Sequence, residues 1–191
     1  VLYDLYFDFG WRLALTPQLL VDLAISPGWA TDFRVKPTEG FRMRGHALAM
    51  FDMLPHVRAV AGISYQNRAD WKIIPVAGVA VDISENTRLE AILPQPRIIH
   101  RLGDWLGTAW EVTLGGELGG ATWAFKNEEN TRETLDYRDY RILLGVGWNN
   151  HKGQGTLQFG YVFERQLRYG LQSEYDFDPG NSWLIRLGWD Y

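Results

Sequence analysis

The opening residues of this chain alternate between two kinds of side chain. The odd positions Val1, Tyr3, Leu5, Phe7, Phe9, Trp11, Leu13 and Leu15 are all apolar, whereas the even ones include Asp4, Asp8, Gly10, Arg12 and Ala14. Successive side chains of a strand point to opposite faces, so this period of two describes one long, two-faced β-strand. A helix would scatter Asp4, Asp8 and Arg12 among the aromatic rings. A chain built from such strands must either pack its apolar faces together or turn them towards lipid.

The pattern recurs after short turn signals. Beyond Thr16-Pro17-Gln18, the residues Leu19, Val21, Leu23, Ile25 and Trp29 share one face, and Asp22, Ala24, Ser26 and Gly28 share the other. A third run opposes Phe41, Met43, Ala47, Ala49, Phe51 and Met53 to Arg42, Arg44, His46 and Asp52. A fourth, from Val57 to Tyr65, follows Leu54-Pro55-His56, and Lys72–Ser84 and Arg88–Leu93 flank the turn at Glu85-Asn86. Near the end, Tyr140, Ile142, Leu144, Val146 and Trp148 oppose Arg141, Gly145 and Gly147. Next, Leu157, Phe159, Tyr161, Phe163, Leu167 and Tyr169 oppose Gln158, Gly160, Glu164, Gln166 and Arg168, with Arg165 the one charge on the apolar side. The last run sets Trp183, Ile185, Leu187, Trp189 and Tyr191 against Arg186, Gly188 and Asp190.

The middle is less regular. Pro94 and Pro96 interrupt the ladder, because proline has no N–H to donate. From Trp105 to Phe125 the apolar residues change parity, and the glycine pairs 115–116 and 119–120 suit a bulge or a tight hairpin. The reading counts ten strands and leaves room for twelve, all in a single domain over residues 1–191. No linker, low-complexity segment or exact internal repeat divides the chain.

Alternation does not say which face is inward, since a soluble calycin-like ligand-binding barrel also alternates, with its apolar side chains inside. Three features favour a closed antiparallel transmembrane β-barrel. The runs are long enough to cross a bilayer as tilted strands. The apolar face carries too many large rings for a small interior, in a chain with nine each of Trp, Tyr and Phe. The polar face mixes small residues with charges of both signs, which suits a narrow, filled lumen. Phe7, Phe9, Leu13, Leu23, Phe159, Phe163, Ile185 and Leu187 are then the lipid-facing set. Trp29, Trp71, Trp105, Trp110, Trp123, Trp148, Trp183 and Trp189 are interfacial anchors. The aromatic Tyr191 fits the C-terminal residue that outer-membrane assembly machinery reads. No apolar run approaches a transmembrane helix: the longest, Ile73 to Val81, carries Pro75 and Gly78. The start at Val1 suggests a processed N-terminus or missing residues. With Val1 and Tyr191 both placed at the periplasmic end, the short turns 16–18 and 54–56 fall outside, where loops are usually the longer ones.

Four segments, "SPGWATDF" at 26–33, "ILPQPRI" at 92–98, "YRDYRILLGVGW" at 137–148 and "GYVFERQLRY" at 160–169, resemble an uncharacterised family of outer-membrane β-barrel proteins common in planctomycetes. The resemblance runs from about residue 20 to the C-terminus. It implies the same fold and an outer-membrane location, and it brings no activity and no catalytic residues.

Composition narrows the function. A net charge of −4 argues against a general nucleic-acid binder, and the absence of cysteine excludes disulfides, thiolate metal sites and thiol nucleophiles. The expected lumen set is an ion-pair network of Asp4, Asp8, Arg12, Arg42, Arg44, Arg141, Glu164, Arg168, Arg186 and Asp190, joined by Asp22, His46, Asp52, Arg58, Glu90 and Glu111. Pairing of the first and last strands brings Asp4 and Asp8 towards Arg186 and Asp190. Glu164 is expected to pair with Arg168, four residues on along the same face, with Arg141 on the preceding strand as a nearby partner. His46 is the one candidate general base, with Glu164 to orient it, but no Ser–His–Asp spacing accompanies it. His56 and His151 fall in turns. The acidic stretches 126–139 and 173–182 read as loops, and Asp176, Asp178 and Asn181 offer oxygen ligands without the spacing of a calcium loop. The reading expects no cofactor and no metal. It expects an envelope or narrow-channel role in the bacterial outer membrane, or the anchor of a larger assembly. Its partners are membrane lipid, lipopolysaccharide and other envelope proteins. The competing reading is an outer-membrane enzyme acting on lipid or peptide at the barrel rim.

Overall fold

The computed structural model describes residues 2–66, 72–126, 131–151, 153–170 and 173–190. Its strands are β1 (Tyr3–Tyr6), β2 (Phe9–Ala14), β3 (Leu19–Thr31), β4 (Phe41–Leu54), β5 (Val57–Gln66), β6 (Ile73–Ser84), β7 (Thr87–Leu93), β8 (Arg97–Trp105), β9 (Thr108–Lys126), β10 (Arg132–Asn150), β11 (Gly153–Tyr169) and β12 (Ser182–Asp190). One helical turn, α1 (Pro37–Gly40), precedes β4, and a 3-10 turn (Ser173–Tyr175) precedes β12. Among the described residues no helix is long and apolar enough to cross a membrane.

Each strand from β3 to β12 pairs antiparallel with the next in sequence. A parallel bridge between Thr31 and Ala124 then joins β3 to β9, so that seven strands close into a barrel and five flank it. The preferred count of ten is therefore corrected to twelve. One added strand is β8, which follows the proline turn at 94–96. The other comes from the first run, which splits at Phe7-Asp8 into β1 and β2. Both halves nevertheless pair with β3 in one unbroken register, from Tyr3 opposite Thr31 to Ala14 opposite Leu20.

A sheet-wide division of faces follows from the pleat. Outward side chains are exposed and apolar on almost every strand, among them Phe51, Ile63, Ile73, Leu93, Ile142, Leu157 and Trp183. Inward side chains are mostly charged or small, but apolar ones interrupt them. Val60, Ile74, Val76 and Ala80 on β5 and β6, and Leu143 and Val162 on β10 and β11, are buried and apolar. The longest apolar run thus has two apolar faces, Ile73 and Val79 outside and Ile74, Val76 and Ala80 inside.

Strand β9 crosses its glycine pairs without a bulge or hairpin, in unbroken register with β10 from Ala109 opposite Asn149 to Lys126 opposite Arg132. The glycines make room instead. A Cβ at Gly119 would collide with the Asp139 carboxylate and the Arg141 guanidinium, and one at Gly115 would press on Arg97. The apolar residues change faces because the strand tip is covered on its other side, where Ala124 is fully buried against β3. The segment 126–139 is largely strand, since β10 begins at Arg132.

Candidate functional site in the barrel interior

Three clusters of polar side chains line the inner face. The first spans β9, β10 and β12. Directly opposed on adjacent strands, Glu117 and Arg141 meet at 2.9 Å, and Arg186 from β12 donates both of its terminal nitrogens to Glu117 at 3.1 Å. The guanidinium of Arg141 also donates through Nε to Asp139 at 2.9 Å, and the Tyr137 hydroxyl donates to the same carboxylate at 2.6 Å. Asp139 is 1% exposed, so its charge depends on these donors. Alternation on one strand places Tyr137, Asp139 and Arg141 on the same face, and the cross-strand register supplies Glu117.

The second cluster lies near the start of β4. Arg44 stacks over the Tyr6 ring at 3.7 Å and reaches Asp4 at 4.0 Å, while Trp123 Nε1 donates to Asp4 at 2.9 Å. His46 Nε2 stands 3.7 Å from Asp22, which Arg12 also approaches at 3.5 Å. Asp4, Tyr6, Arg44, His46 and Trp123, with Asp8, Ser64, Gln66, Arg141 and Arg186, line a cavity of about 730 Å³. Arg42, 8% exposed, donates to the carbonyls of Glu39, Phe41 and Thr122 and so ties β4 to the tip of β9.

A third cluster occupies the opposite end. Arg58 makes two hydrogen bonds to Asp52, at 2.5 and 3.1 Å. Arg88 bridges Asp82 and Glu90 at 3.0 Å each, and Arg97 reaches Glu90 at 2.6 Å. A separate cavity of about 640 Å³ lies there, lined in part by Arg88, Arg101 and Glu111.

Glu164 and Arg168 do not belong to the interior network. Register slips between β10 and β11, where Arg138 faces Gln166 and Tyr140 faces Phe163, so Glu164 and Arg165 together oppose Asp139. That is a β-bulge, with Glu164 at a φ of 49°, and it reverses parity for the rest of the strand. Glu164 is exposed, and Arg165 donates to the Tyr137 hydroxyl and to the Gly180 carbonyl. Arg168 pairs with Asp178 of the β11–β12 connection at 2.7 Å. Arg141 instead takes Glu117 and Asp139, neither of which the composition of the polar face had singled out. Both were legible in parity, Glu117 with Glu111 and Asp139 with Arg141.

The first and last strands are not paired: β1 and β2 join β3, and β12 joins β11. Asp190 closes β12, but its side chain lies outside the described residues, as do Trp71, Val1 and Tyr191. His46 has Asp22 rather than Glu164 beside it, and its buried Nε2 has no hydrogen-bond partner. His56 lies in the β4–β5 turn, and His100 faces outward and shares a hydrogen bond with Thr87. The three residues in the β11–β12 connection are each engaged separately: Asp176 accepts from the Tyr169 N–H, Asp178 pairs with Arg168, and Asn181 donates through Nδ2 to the Tyr161 hydroxyl. Among the described residues no group of three His, Asp or Glu is placed to hold a metal ion.

On the exterior, Phe7, Phe9, Leu13, Phe159, Ile185 and Leu187 are exposed, whereas Leu23 and Phe163 are half-buried by their neighbours. Phe163 stacks on Tyr140 and Tyr161 at about 6 Å, and Phe159 stacks on Trp183 at 5.0 Å. Trp110, Trp148 and Trp189 form a ladder across the same side, with ring centroids about 6 Å apart. No family model, curated protein or solved structure matches this chain.

Proposed function

We propose that this chain is an integral barrel of the bacterial outer membrane, with a largely filled interior and a non-enzymatic role in the envelope as a structural element, a narrow channel or the anchor of an assembly. One observation carries the reading: the outward face is apolar on almost every strand while most of the strand charges turn inward. Side chains such as Ile185 and Leu187, each 72% exposed, would present water with a contiguous apolar surface. Soluble monomers rarely expose more than a few hundred Å² of such surface. Lipid acyl chains cover it at no cost, and the lipid-facing partners are phospholipid and lipopolysaccharide. The Trp ladder and Trp105, at 71% exposure, suit the interfacial belt. The segments that resemble the planctomycete family point the same way.

Refolding into phosphatidylcholine vesicles tests the reading. The wild-type protein is expected to insert and become protected from protease. Leu144→Arg, on the outward face of β10, should weaken insertion by roughly 2–4 kcal/mol if it lies near the bilayer midplane. A protein that stays monomeric and folded in buffer without detergent would instead be a soluble barrel.

A further inference from the structure

The cavity of about 730 Å³ holds charges that the ion-pair network does not use. Its lining carries three carboxylates, on Asp4, Asp8 and Glu117, against three guanidinium groups, on Arg44, Arg141 and Arg186. Arg141 and Arg186 both bond to Glu117, and the Trp123 indole N–H donates to Asp4. Arg44 and Asp8 are left over. The Arg44 guanidinium lies on the Tyr6 ring, and the one carboxylate it approaches among the described residues, that of Asp4, stays 4.0 Å away, beyond hydrogen-bonding distance. Asp8 is exposed, and its carboxylate has no hydrogen bond or ion pair among the described residues. The pairing register aligns the two. Carried across the break between β1 and β2, it sets Asp8 opposite Ser26, which faces Arg44, which in turn faces Gln66. One inward row across four strand positions therefore reads Asp8, Ser26, Arg44 and Gln66, and all four line the cavity.

A cavity of this size lies within the range of about 300–1,000 Å³ that small-molecule sites occupy. It shares no lining residue with the cavity at the opposite end, so a solute that enters has a place to rest and no continuous lined path onward. The leftover charges define its chemistry. A simple anion would meet Arg44 but face Asp4 and Asp8, and a simple cation would meet Asp8 but face Arg44. An uncharged sugar would find the Tyr6 ring already covered by Arg44. We propose that the cavity binds a short zwitterion of peptide type, its carboxylate held by Arg44 and its ammonium group by Asp8. One such ligand satisfies both leftover charges at once, while Ser26 between them and Gln66 beyond Arg44 add neutral hydrogen bonds. The dimensions agree. Neighbouring strands lie about 4.8 Å apart, so Asp8 and Arg44 stand on backbones roughly 10 Å apart. An extended dipeptide is about 7 Å long, short enough to lie along this row. The cavity and its charges are the same with lipid or water outside the barrel, so the site stands whichever medium surrounds it.

Equilibrium dialysis of the full chain, folded in detergent micelles, against three radiolabelled probes tests the site. The probes are glycylglycine, N-acetylglycylglycine, which lacks the ammonium group, and glycylglycinamide, which lacks the carboxylate. The wild-type protein should bind glycylglycine about tenfold or more tightly than either blocked form, since each of those loses a charge-assisted hydrogen bond. Asp8→Asn should abolish the preference for the free amine and keep that for the free carboxylate. Arg44→Gln should do the reverse. Because the Asp8 carboxylate has no partner among the described residues, Asp8→Asn should also leave the unfolding midpoint unchanged. That variant and the blocked peptides decide the matter even where Arg44→Gln does not fold. Equal affinity for the three probes, no binding of glycylglycine at millimolar concentration, or a preference for the free amine that survives Asp8→Asn would each overturn the proposal.

Discussion

Glu117 holds two guanidinium groups from different strands, and removing it takes a charged partner from both. Arg141 is 18% exposed at its side chain and keeps Asp139, but Arg186, at 40%, would retain only Gln158 among its interior partners. Breaking a buried pair from one side costs about 3–5 kcal/mol, and the partial exposure of Arg186 places Glu117→Ala near the lower end, about 3 kcal/mol. The measurement is the urea midpoint of the refolded barrel, followed by tryptophan fluorescence. Glu117→Ala combined with Arg186→Met should recover part of the loss, because the Arg186 charge is then no longer left without its carboxylate. A Glu117→Ala barrel as stable as the parent would mean that the interior charges do not hold the strands. Gly119→Ala belongs to the same cluster, since its methyl group would displace the Asp139 carboxylate from its donors.

Parity made Arg42, Arg44, His46, Arg141 and Arg186 legible as one face, because each lies on a strand whose register never slips between them. It misled at Glu164 because a bulge leaves little mark in the sequence: one extra residue, with the charge of Arg165 on the apolar side as the only sign. The turns at 16–18, 54–56 and 85–86 were equally legible, since proline and asparagine mark them chemically. Glycine was ambiguous, as bulge, hairpin and close packing all favour it, and only the facing strand shows that Gly119 clears space for an ion pair. The bulge makes its own prediction. A non-glycine residue in the left-handed region costs roughly 1–2 kcal/mol, so Glu164→Gly should leave the barrel unchanged or raise its stability by up to about 1 kcal/mol after the added freedom of the unfolded chain. Glu164→Val, branched at Cβ, should lower the unfolding midpoint. Equal midpoints for the glycine and valine variants would mean that the strand does not bulge there.

At the scale of the whole molecule, β1 and β2 share one position on β3, so the first and last strands run the same way. Tyr3 and Trp189 therefore lie at opposite ends of the sheet, not together as the sequence reading expected. The chain enters at one end, where Tyr3 pairs with Thr31, and leaves at the other, where Trp189 pairs with Gly155. The two-residue turns and the close of β12 thus share one end, while the longer connections 32–40 and 170–181 share the opposite one. Between the ends the interior is interrupted. The cavities of about 730 and 640 Å³ share no lining residue, and Val60, Ile74, Val76 and Ala80 are buried between the strands that enclose them. On the membrane reading, a permeating ion would meet this apolar patch and the Glu117–Arg141–Arg186 bridge. Small barrels fill with their own side chains, whereas an aqueous channel of porin width needs many more strands. In a planar bilayer the wild-type protein is therefore expected to show no steady, large single-channel steps. Glu117→Ala should raise only brief, small conductance, because Arg141 still pairs with Asp139 and the patch on β5 and β6 stays in place. Steady porin-sized steps from the wild type would mean that the lumen opens in the membrane and that its charges select a permeant.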